Sequence, residues 1–425
     1  MRVLIIGGGL GGLTLAHGLR SAGIDVAVHE RSARTGPQPA SYGIHVNDHG
    51  NRALHACLPE RNWRRYTETS VPAPNVIRFR DTDLEPLTTL HLSTPAEDAD
   101  PITHRRAVRR QQLHQALLLG LDDVVRWDST YRSHRTGPDG RIRVEFDDGT
   151  TDEGDVLVGA DGSNSRVRHT YLPYLRRREL RVLTVAGRLP LTDPAARALP
   201  AGLTDGSVNN IVPGGTGWLF ASTWPAAHDT DPRQPGTDAD FLVWAYAAAR
   251  DTYPSDVASL SAPQLRHLVL QRTQHWDPRL AAAIANSDPA TIAPVSLRTM
   301  DPLPEWEPTT VTLLGDAIHN MTPMAGIGAN TALRDADVLT RAIASDGNNS
   351  ILDRIGRYEA EMRTYANEAL ALSTRNTRNA ASNKRLPRIA FRTLLKASNA
   401  IPAVKHRVFP ATAHDRRRAP HLDQR

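Results

Sequence analysis

A strand, a glycine-rich turn, a helix and a second strand in the first thirty residues constrain the fold more than any other feature of this chain. Residues 3–6 are a continuous apolar run, which predicts a buried parallel strand. Gly7, Gly9 and Gly12 follow in the spacing G-x-G-x-x-G, ahead of helical apolar spacing and a second predicted strand at residues 25–29. In such a unit the first glycine permits a tight turn, the second lets amides approach a pyrophosphate, and the third packs helix against strand. The pattern therefore predicts a Rossmann-like α/β fold that binds a dinucleotide.

Glu30 ends the second predicted strand, eighteen residues after Gly12. A carboxylate at this position accepts hydrogen bonds from the hydroxyls of an adenosine ribose and repels a 2′-phosphate. This first site therefore fits FAD or NAD better than NADP. Arg31, the next residue, is a further candidate contact of the cofactor.

Two later segments repeat the turn from an apolar strand into a polar motif. Asp161 and Gly162 follow the apolar residues 156–158 after two intervening residues and lead to Arg168, which predicts a second strand-to-helix turn. Asp316 follows the apolar run 311–314, where its carboxylate is placed to accept hydrogen bonds from ribitol hydroxyls.

The segment after Asp316 enters a predicted helix. It contributes four candidate cofactor contacts, namely Pro323, Gly326, Gly328 and Asn330. Free amides at a helix N-terminus carry partial positive charge, which suits the N1–C2=O edge of an anionic reduced flavin. A capped helix without a ligand is the alternative interpretation.

Length and composition exclude several other classes. A chain of 425 residues can bury a large core and favours two domains. Its lone cysteine, Cys57, lies in an apolar segment, which predicts a packed thiol and a reducing, cytoplasmic location. We expect no signal peptide and no membrane span, since the longest apolar run is residues 241–249. The net charge of +5 is small, and its basic excess lies late in the chain, which favours a solvated tail over a nucleic-acid surface.

Together these motifs resemble the class A FAD-dependent monooxygenases, the para-hydroxybenzoate hydroxylase-like flavoprotein superfamily. The resemblance covers residues 1–375 and rests on the three motifs in their order, with a fourth, the R-x-x-L that starts at Arg110. In relatives this arginine contacts the FAD. Residues 42–47 occupy the place where relatives bring backbone near the flavin and the substrate.

The resemblance and the sequence pattern together predict a Rossmann-like FAD-binding domain, an inserted, mainly antiparallel β-sheet substrate domain, and C-terminal helices. The predicted FAD-binding domain is discontinuous and comprises residues 1–70, 101–170 and 300–380. The predicted substrate domain comprises residues 71–100 and 171–299, and a basic helix and tail follow at 381–425. The helix at 386–399 is expected either to bridge the two domains or to lie at the periphery.

The resemblance also implies a function. NADPH or NADH would reduce FAD, and O2 would form a flavin C4a-(hydro)peroxide that hydroxylates or epoxidises a hydrophobic or aromatic secondary metabolite. The cofactor would carry this chemistry, while the protein orients the substrate and excludes water. We expect no metal site, and a monomer or homodimer that acts on a small hydrophobic organic substrate.

Three alternatives stay open at this point: Baeyer–Villiger oxygenation, antibiotic-inactivating oxygenation, and a non-oxygenating flavoprotein such as a cyclase or reductase. A flavin halogenase is disfavoured because the chain lacks the Trp-x-Trp-x-Ile-Pro signature and has no lysine before Lys384.

Candidate substrate contacts come from strand alternation. Trp218, Phe220 and Trp224 share one face of a predicted strand by the period-two rule, which suggests an aromatic-lined pocket. Packing against the back of the domain is the alternative for this face. His45 is a weak candidate for an acid–base partner, since its position matches the family pattern, and a structural role is the alternative for each of the 17 histidines.

Overall fold

The computed structural model describes residues 1–34, 43–91, 100–224, 240–345 and 348–401. The strands, numbered along the chain, are β1 (Arg2–Ile6), β2 (Asp25–His29), β3 (Gly43–Val46), β4 (Val71–Pro72), β5 (Val76–Arg80), β6 (Pro86–His91), β7 (Arg106–Arg109), β8 (Val125–Arg126), β9 (Tyr131–Thr136), β10 (Ile142–Phe146), β11 (Thr151–Gly154), β12 (Val156–Gly159), β13 (Arg177–Pro190), β14 (Val208–Ile211), β15 (Trp218–Trp224), β16 (Phe241–Ala249), β17 (Ala293–Met300) and β18 (Val311–Leu313). The α-helices are α1 (Leu10–Ser21), α2 (Asp48–Cys57), α3 (Glu60–Thr69), α4 (Arg110–Leu118), α5 (Arg166–Tyr171), α6 (Pro194–Arg197), α7 (Ala201–Thr204), α8 (Ala262–Arg272), α9 (Pro278–Ala285), α10 (Asp316–His319), α11 (Gly328–Ala344), α12 (Ile351–Ala381) and α13 (Arg385–Ala400).

A five-stranded parallel sheet forms the first layer, in the order β18-β12-β1-β2-β8. The apolar residues of β1 and β12 are buried, which explains the continuous apolar runs in the sequence. In the register of this sheet, Ile6 pairs with Gly159, and Gly159 pairs with Leu313. The carboxyl ends of β1, β12 and β18 therefore meet at one edge, and all three predicted motifs follow directly from that edge.

Helices complete this Rossmann-like part of the molecule. Helix α1 packs on α11 and α2, and α11 packs on the 31-residue helix α12. Cys57 lies buried at the end of α2, as predicted, and burial raises the pKa of its thiol to about 12. None of the described helices is long and apolar enough to cross a lipid bilayer.

A seven-stranded sheet forms the second layer, in the order β17-β13-β16-β15-β14-β5-β6. All its pairs are antiparallel except β14 with β5. This confirms the predicted fold class, a Rossmann-like domain with an inserted, mainly antiparallel sheet. Two small antiparallel sheets, β3-β7-β4 and β11-β10-β9, complete the strands.

The two faces of the seven-stranded sheet have different partners. On one face, Leu242 and Trp244 pack with apolar residues of α8 and α9, such as Leu265 and Leu280. On the other face, Trp218 packs with residues of α13 and with Met324 from the segment after β18. The Rossmann-like part therefore lies on the side of this second face.

Helix α13 lies across the seven-stranded sheet. Its buried Arg388 donates to the carbonyl of Gly217 at 2.9 Å and to the carbonyls of Ala380 and Ser382 at the end of α12. Leu395 packs with Leu87 and Trp218. The helix thus contacts both the sheet and the end of α12, and residues 402–425 of the predicted tail lie outside the described residues.

Candidate functional site

In the first glycine turn, two glycines have no room for a side chain and a third glycine borders open space. A Cβ atom on Gly7 would fall on the carbonyl of Ala160, and Gly7 also has a φ of +116°. A Cβ atom on Gly12 would fall on the carbonyl of Gly7. At Gly9, which precedes the first residue of α1, a Cβ atom would meet no described heavy atom within 4 Å. Open space at the N-terminus of α1 is the arrangement that a pyrophosphate requires.

Glu30 is fixed beside this turn by backbone amides. Its Oε2 accepts from the amide of Gly8 at 2.7 Å, and its Oε1 accepts from the amide of Ser32 at 2.8 Å. An ionised carboxylate has further lone pairs, so both oxygens retain capacity for the hydroxyls of a ribose. Arg31 is exposed at the same edge.

Helix α4 brings the R-x-x-L motif to the glycine turn. Leu113 is buried, and Arg110 is exposed at the first residue of the helix. One turn later, the ring Nε2 of His114 lies 2.8 Å from the carbonyl of Gly8. Burial lowers the pKa of His114, so the neutral ring donates this hydrogen bond. Sequence reasoning missed His114, which orients the face of α4 that carries Arg110 toward the glycine turn.

Asp161 caps a helix with one oxygen and leaves the other without a partner. Its Oδ2 accepts from the amides of Arg166 at 2.7 Å and Val167 at 3.3 Å. Its Oδ1 is buried, and among the described residues it has no hydrogen-bond partner. Gly162 follows with a φ of +76°. A buried acceptor of this kind fits a hydroxyl donated by a ligand.

Arg168 connects this turn to the third one. The side chain is buried and donates to the carbonyl of Ala317 at 2.5 Å and to that of Ser163 at 3.2 Å. The ends of β12 and β18 are therefore tied together by a charged group that spans 149 residues of sequence.

The third turn is organised by Asp335 on α11, which sequence reasoning missed. Its Oδ2 accepts from the amide of Gly315 at 2.7 Å and from Nε2 of His319 at 2.6 Å, and its Oδ1 accepts from the hydroxyl of Tyr365 at 2.6 Å. Burial opposes the charged form of His319, but the Asp335 carboxylate outweighs it and raises the pKa of His319. Asp316, which follows Gly315, is exposed, so its carboxylate is available to a ligand at this edge.

The segment before α11 presents an uncapped helix N-terminus. Pro323 and Gly326 are exposed, and Gly326 has a φ of +66°. Helix α11 begins at Gly328, and the described residues provide no side-chain cap there. Its first amides therefore keep their partial positive charge for a ligand.

Asn330 joins this helix terminus to strand β3. Its Nδ2 donates to the carbonyl of His45 at 2.9 Å, and its Oδ1 accepts from the amide of Asn47 at 2.9 Å. The backbone predicted to lie near the flavin thus contacts the predicted flavin helix. Tyr42, which opens that predicted segment, lies outside the described residues.

The side chain of His45 is held by Arg105 and Trp224. The guanidinium Nη2 of Arg105 donates to Nδ1 of His45 at 2.8 Å, and the ring of His45 stacks on that of Trp224 with 5.4 Å between centroids. Burial, together with the charge of Arg105, lowers the pKa of His45 to about 3. A neutral ring of this kind does not favour the acid–base role predicted for His45, and Arg105 is a neighbour that sequence reasoning missed.

The predicted aromatic face exists, with tightly packed ends and a more open middle. Trp218 is 7% exposed, and its Nε1 donates to Oδ1 of Asn210 at 2.9 Å. Trp224 is 5% exposed and packs on Phe241. Between them, Phe220 is half-buried, as is its cross-strand partner Ala245. Most of the surface of both tryptophans is therefore packed, and the accessible part of the face lies at Phe220.

Two family models match separate parts of the chain. A model described as an NAD(P)-binding Rossmann-like domain matches residues 5–69, and a model described as a FAD binding domain matches residues 271–373.

Several characterised proteins are similar over most of the chain. A dual O-methyltransferase/FAD-dependent monooxygenase of Cercospora beticola is 28% identical over 391 residues, which cover 86% of this chain and 44% of that protein. The chain thus spans less than half the length of that relative. A 3-amino-4-hydroxybenzoate 2-monooxygenase of Streptomyces platensis is 30% identical over 351 residues, which cover 80% of this chain and 78% of that protein.

Solved structures share the fold. A chain from Photorhabdus luminescens described as a FAD-containing monooxygenase is 40% identical with a TM-score of 0.82, covering 90% of this chain and 98% of that one. A Klebsiella pneumoniae protein solved with FAD and uric acid has a TM-score of 0.76 at 21% identity, covering 95% of each chain, and shows similarity of fold alone.

Proposed function

Since this chain belongs to the family of FAD-dependent monooxygenases, we propose that it inserts one oxygen atom from O2 into a small, planar, hydrophobic molecule, with NADPH or NADH as the reductant. The observation that carries this proposal is the contact of Asn330 with the backbone of His45. Through it, the uncapped N-terminus of α11 lies beside the strand that touches the aromatic face of the seven-stranded sheet.

The residues at the carboxyl edge of the parallel sheet fit the successive parts of FAD. Glu30 would hold the adenosine ribose, and the open turn at Gly9 with Arg110 would hold the pyrophosphate. The unpartnered Oδ1 of Asp161 and the exposed carboxylate of Asp316 would accept hydroxyls of the ribityl chain or its neighbours.

The segment 323–330 would face the isoalloxazine ring. Pro323, Gly326 and Gly328 bring backbone rather than long side chains to this position. The partial positive charge of the first amides of α11 would stabilise negative charge that develops on the reduced ring. FAD supplies the electron transfer from the nicotinamide and the activation of O2.

The protein itself would then orient the planar substrate and exclude water from it. Phe220 and Ala245 give the accessible middle of the sheet face an apolar surface, and the buried rings of Trp218 and Trp224 close its two ends. Exclusion of water at such a site suppresses the loss of activated oxygen as hydrogen peroxide.

An aromatic secondary metabolite is the substrate class that this surface fits best. The relative from Streptomyces platensis is named for an aminohydroxybenzoate, and another relative, 28% identical, is an aurachin C monooxygenase/isomerase from Stigmatella aurantiaca. We propose hydroxylation or epoxidation of such a ring, because the apolar middle of this face would hold a planar aromatic system in a fixed orientation.

The test uses the purified, FAD-loaded full chain with NADPH or NADH, isotopically labelled O2 and a panel of planar aromatic compounds. The proposal predicts that one or more compounds accelerate nicotinamide oxidation and yield a product with one labelled oxygen atom. A protein that holds FAD and reduces it, yet incorporates no labelled oxygen across the panel, would support a non-oxygenating flavoprotein instead.

A further inference from the structure

Three side chains that are linked to one another, where the small sheet β3-β7-β4 touches the seven-stranded sheet, each have a hydrogen-bond donor without a partner. The donors are Nε2 of His45, Nη1 of Arg105 and Nε1 of Trp224. Each nitrogen is buried, and none has a hydrogen-bond partner among the residues that the structure describes. A buried donor without an acceptor is costly, so three on linked side chains call for an explanation.

The three groups form one physical unit. Nη2 of Arg105 donates to Nδ1 of His45, and the rings of His45 and Trp224 stack. The ring of Trp224 also lies where a Cβ atom on Gly43 would be, so strand β3 can approach this closely only with glycine there. The packing fixes the indole against the same strand that carries His45.

Arg105 determines which nitrogen of His45 carries the proton. A guanidinium has only N–H donors, so Nδ1 must be the acceptor in this pair. The neutral ring then carries its hydrogen on Nε2. All three unpartnered atoms are therefore donors, and the complement of three donors is an oxygen acceptor rather than another N–H group.

Two further arginines lie close to the cluster. Arg109 and Arg188 lie over the ring of Phe241, at 4.7 to 5.1 Å from its centroid, and Phe241 stacks on Trp224. The guanidinium of Arg105 adds a positive charge to the cluster itself, which favours an anionic acceptor over a neutral one.

We propose that His45, Arg105 and Trp224 form an oxyanion-recognition cluster, and that the substrate is an aromatic compound bearing a carboxylate or a phenolate-type oxygen. This inference rests on the proposed function and narrows its substrate class. The cluster lies next to the accessible middle of the aromatic face, because Phe220 and Trp224 share that face with 6.4 Å between ring centroids. His45 and Trp224 are thereby specificity-determining residues that donate to the substrate.

The experiment compares two isosteric probes on the FAD-loaded full chain, 2-naphthoate as the anion and 2-naphthamide as the neutral analogue, by titration of the flavin absorbance. The amide replaces one acceptor oxygen with a donor. The proposal predicts that the native protein binds the naphthoate about tenfold or more tightly than the naphthamide, as a charge-assisted hydrogen bond allows.

Variants then assign that preference to the cluster. His45→Phe keeps the stacked ring without the donor, Trp224→Phe removes only the indole N–H, and Arg105→Gln removes the charge. Each is expected to reduce the preference for naphthoate severalfold while naphthamide binding changes little. His45→Gln, which restores an N–H donor, is expected to recover part of the preference. His55→Phe, the same change at an exposed histidine packed on Trp63, serves as the matched control.

The outcomes separate this inference from the proposed function. The cluster is not a recognition site if the variants lose affinity for both probes equally, so that the ratio of the two affinities is unchanged. Weaker flavin binding with an unchanged ratio would lead to the same conclusion. If the flavin-loaded native protein does not prefer naphthoate, or binds neither probe, the proposal that the substrate carries an oxyanion is overturned. A chain that takes up no flavin would instead contradict the proposed function itself.

Discussion

The side-chain amide of Asn330 holds the backbone of His45 from 285 residues away, by donating to its carbonyl at 2.9 Å. The same amide accepts from the backbone N–H of Asn47, so it satisfies two groups of one extended segment. This contact joins the helix that would face the flavin ring to the strand that would face the substrate.

Replacement of Asn330 by alanine should weaken flavin binding more than it weakens the fold. Two partly buried backbone groups lose their partner, at a cost of roughly 1 to 3 kcal/mol each. We expect flavin affinity to fall by about tenfold or more, since strand β3 is no longer held at the N-terminus of α11. Fluorescence titration of the apoprotein with FAD measures this. Asn286→Ala is the control, because within the described part of the chain that side chain donates to the carbonyl of Ala282 in its own helix alone. Equal flavin affinity in both variants would contradict the account.

Two glycine variants should separate binding from folding at the first turn. Gly9→Ala places a methyl group in space that holds no described atom, so the fold is expected to persist while flavin affinity falls by about tenfold or more. Gly12→Ala pushes a methyl group into the carbonyl of Gly7, so it is expected to lower the melting temperature or prevent folding. Thermal unfolding of the apoprotein and FAD titration give the two readouts. A Gly9→Ala variant that binds FAD as tightly as the native chain would refute the placement of the pyrophosphate.

Glu359 should make the stability depend on pH. It is fully buried on α12 and accepts from the hydroxyl of Thr312 at 2.8 Å, and burial raises the pKa of its carboxyl from 4.5 to about 7. Between those two values the folded chain binds the proton more tightly than the unfolded chain, so this group's contribution to stability falls as pH rises.

Glu359→Gln should remove that dependence. The variant is expected to gain stability relative to the native chain between pH 5 and pH 8, by on the order of 2 kcal/mol. Urea unfolding at both pH values measures the difference, with the exposed Glu361→Gln as the control. A difference between variant and native chain that stays constant over this pH range would show that Glu359 is ionised throughout.

We expect Arg388 to stabilise the packing of α13 against the seven-stranded sheet and the end of α12. Its buried guanidinium donates to three carbonyls, from the hairpin at Gly217 and from the end of α12. Arg388→Ala is expected to destabilise this region by roughly 2 to 3 kcal/mol, because hydrogen bonds to a charged donor are lost inside the protein. Hydrogen exchange within residues 385–400 should accelerate, while the exposed Arg385→Ala leaves it unchanged. Unaltered exchange in Arg388→Ala would contradict this role.

The strands and the order of the motifs were predictable because their signals are local. The apolar run at residues 3–6 lies in β1, and the run at residues 241–249 forms β16. Periodicity and glycine spacing are properties of neighbouring residues, so they can be recognised in the sequence without knowledge of the tertiary contacts.

The polar partners of the site were not predictable from local pattern. Asp335 joins Gly315 to Tyr365, His114 reaches Gly8 across 106 residues, and Arg105 reaches His45 across 60. No periodicity marks such residues, because their partners are set by the packing of distant elements. Alternation likewise showed that Trp218 and Trp224 share a face, but not that α13 and β3 would cover its two ends.

Direct titration of the purified apoprotein with FAD tests the central claim, that these three turns and the N-terminus of α11 form one flavin site. The account predicts saturable uptake of one FAD per chain, the absorbance of a bound oxidised flavin, and loss of that uptake in Gly9→Ala. A folded chain that stays colourless and binds no added FAD would contradict it.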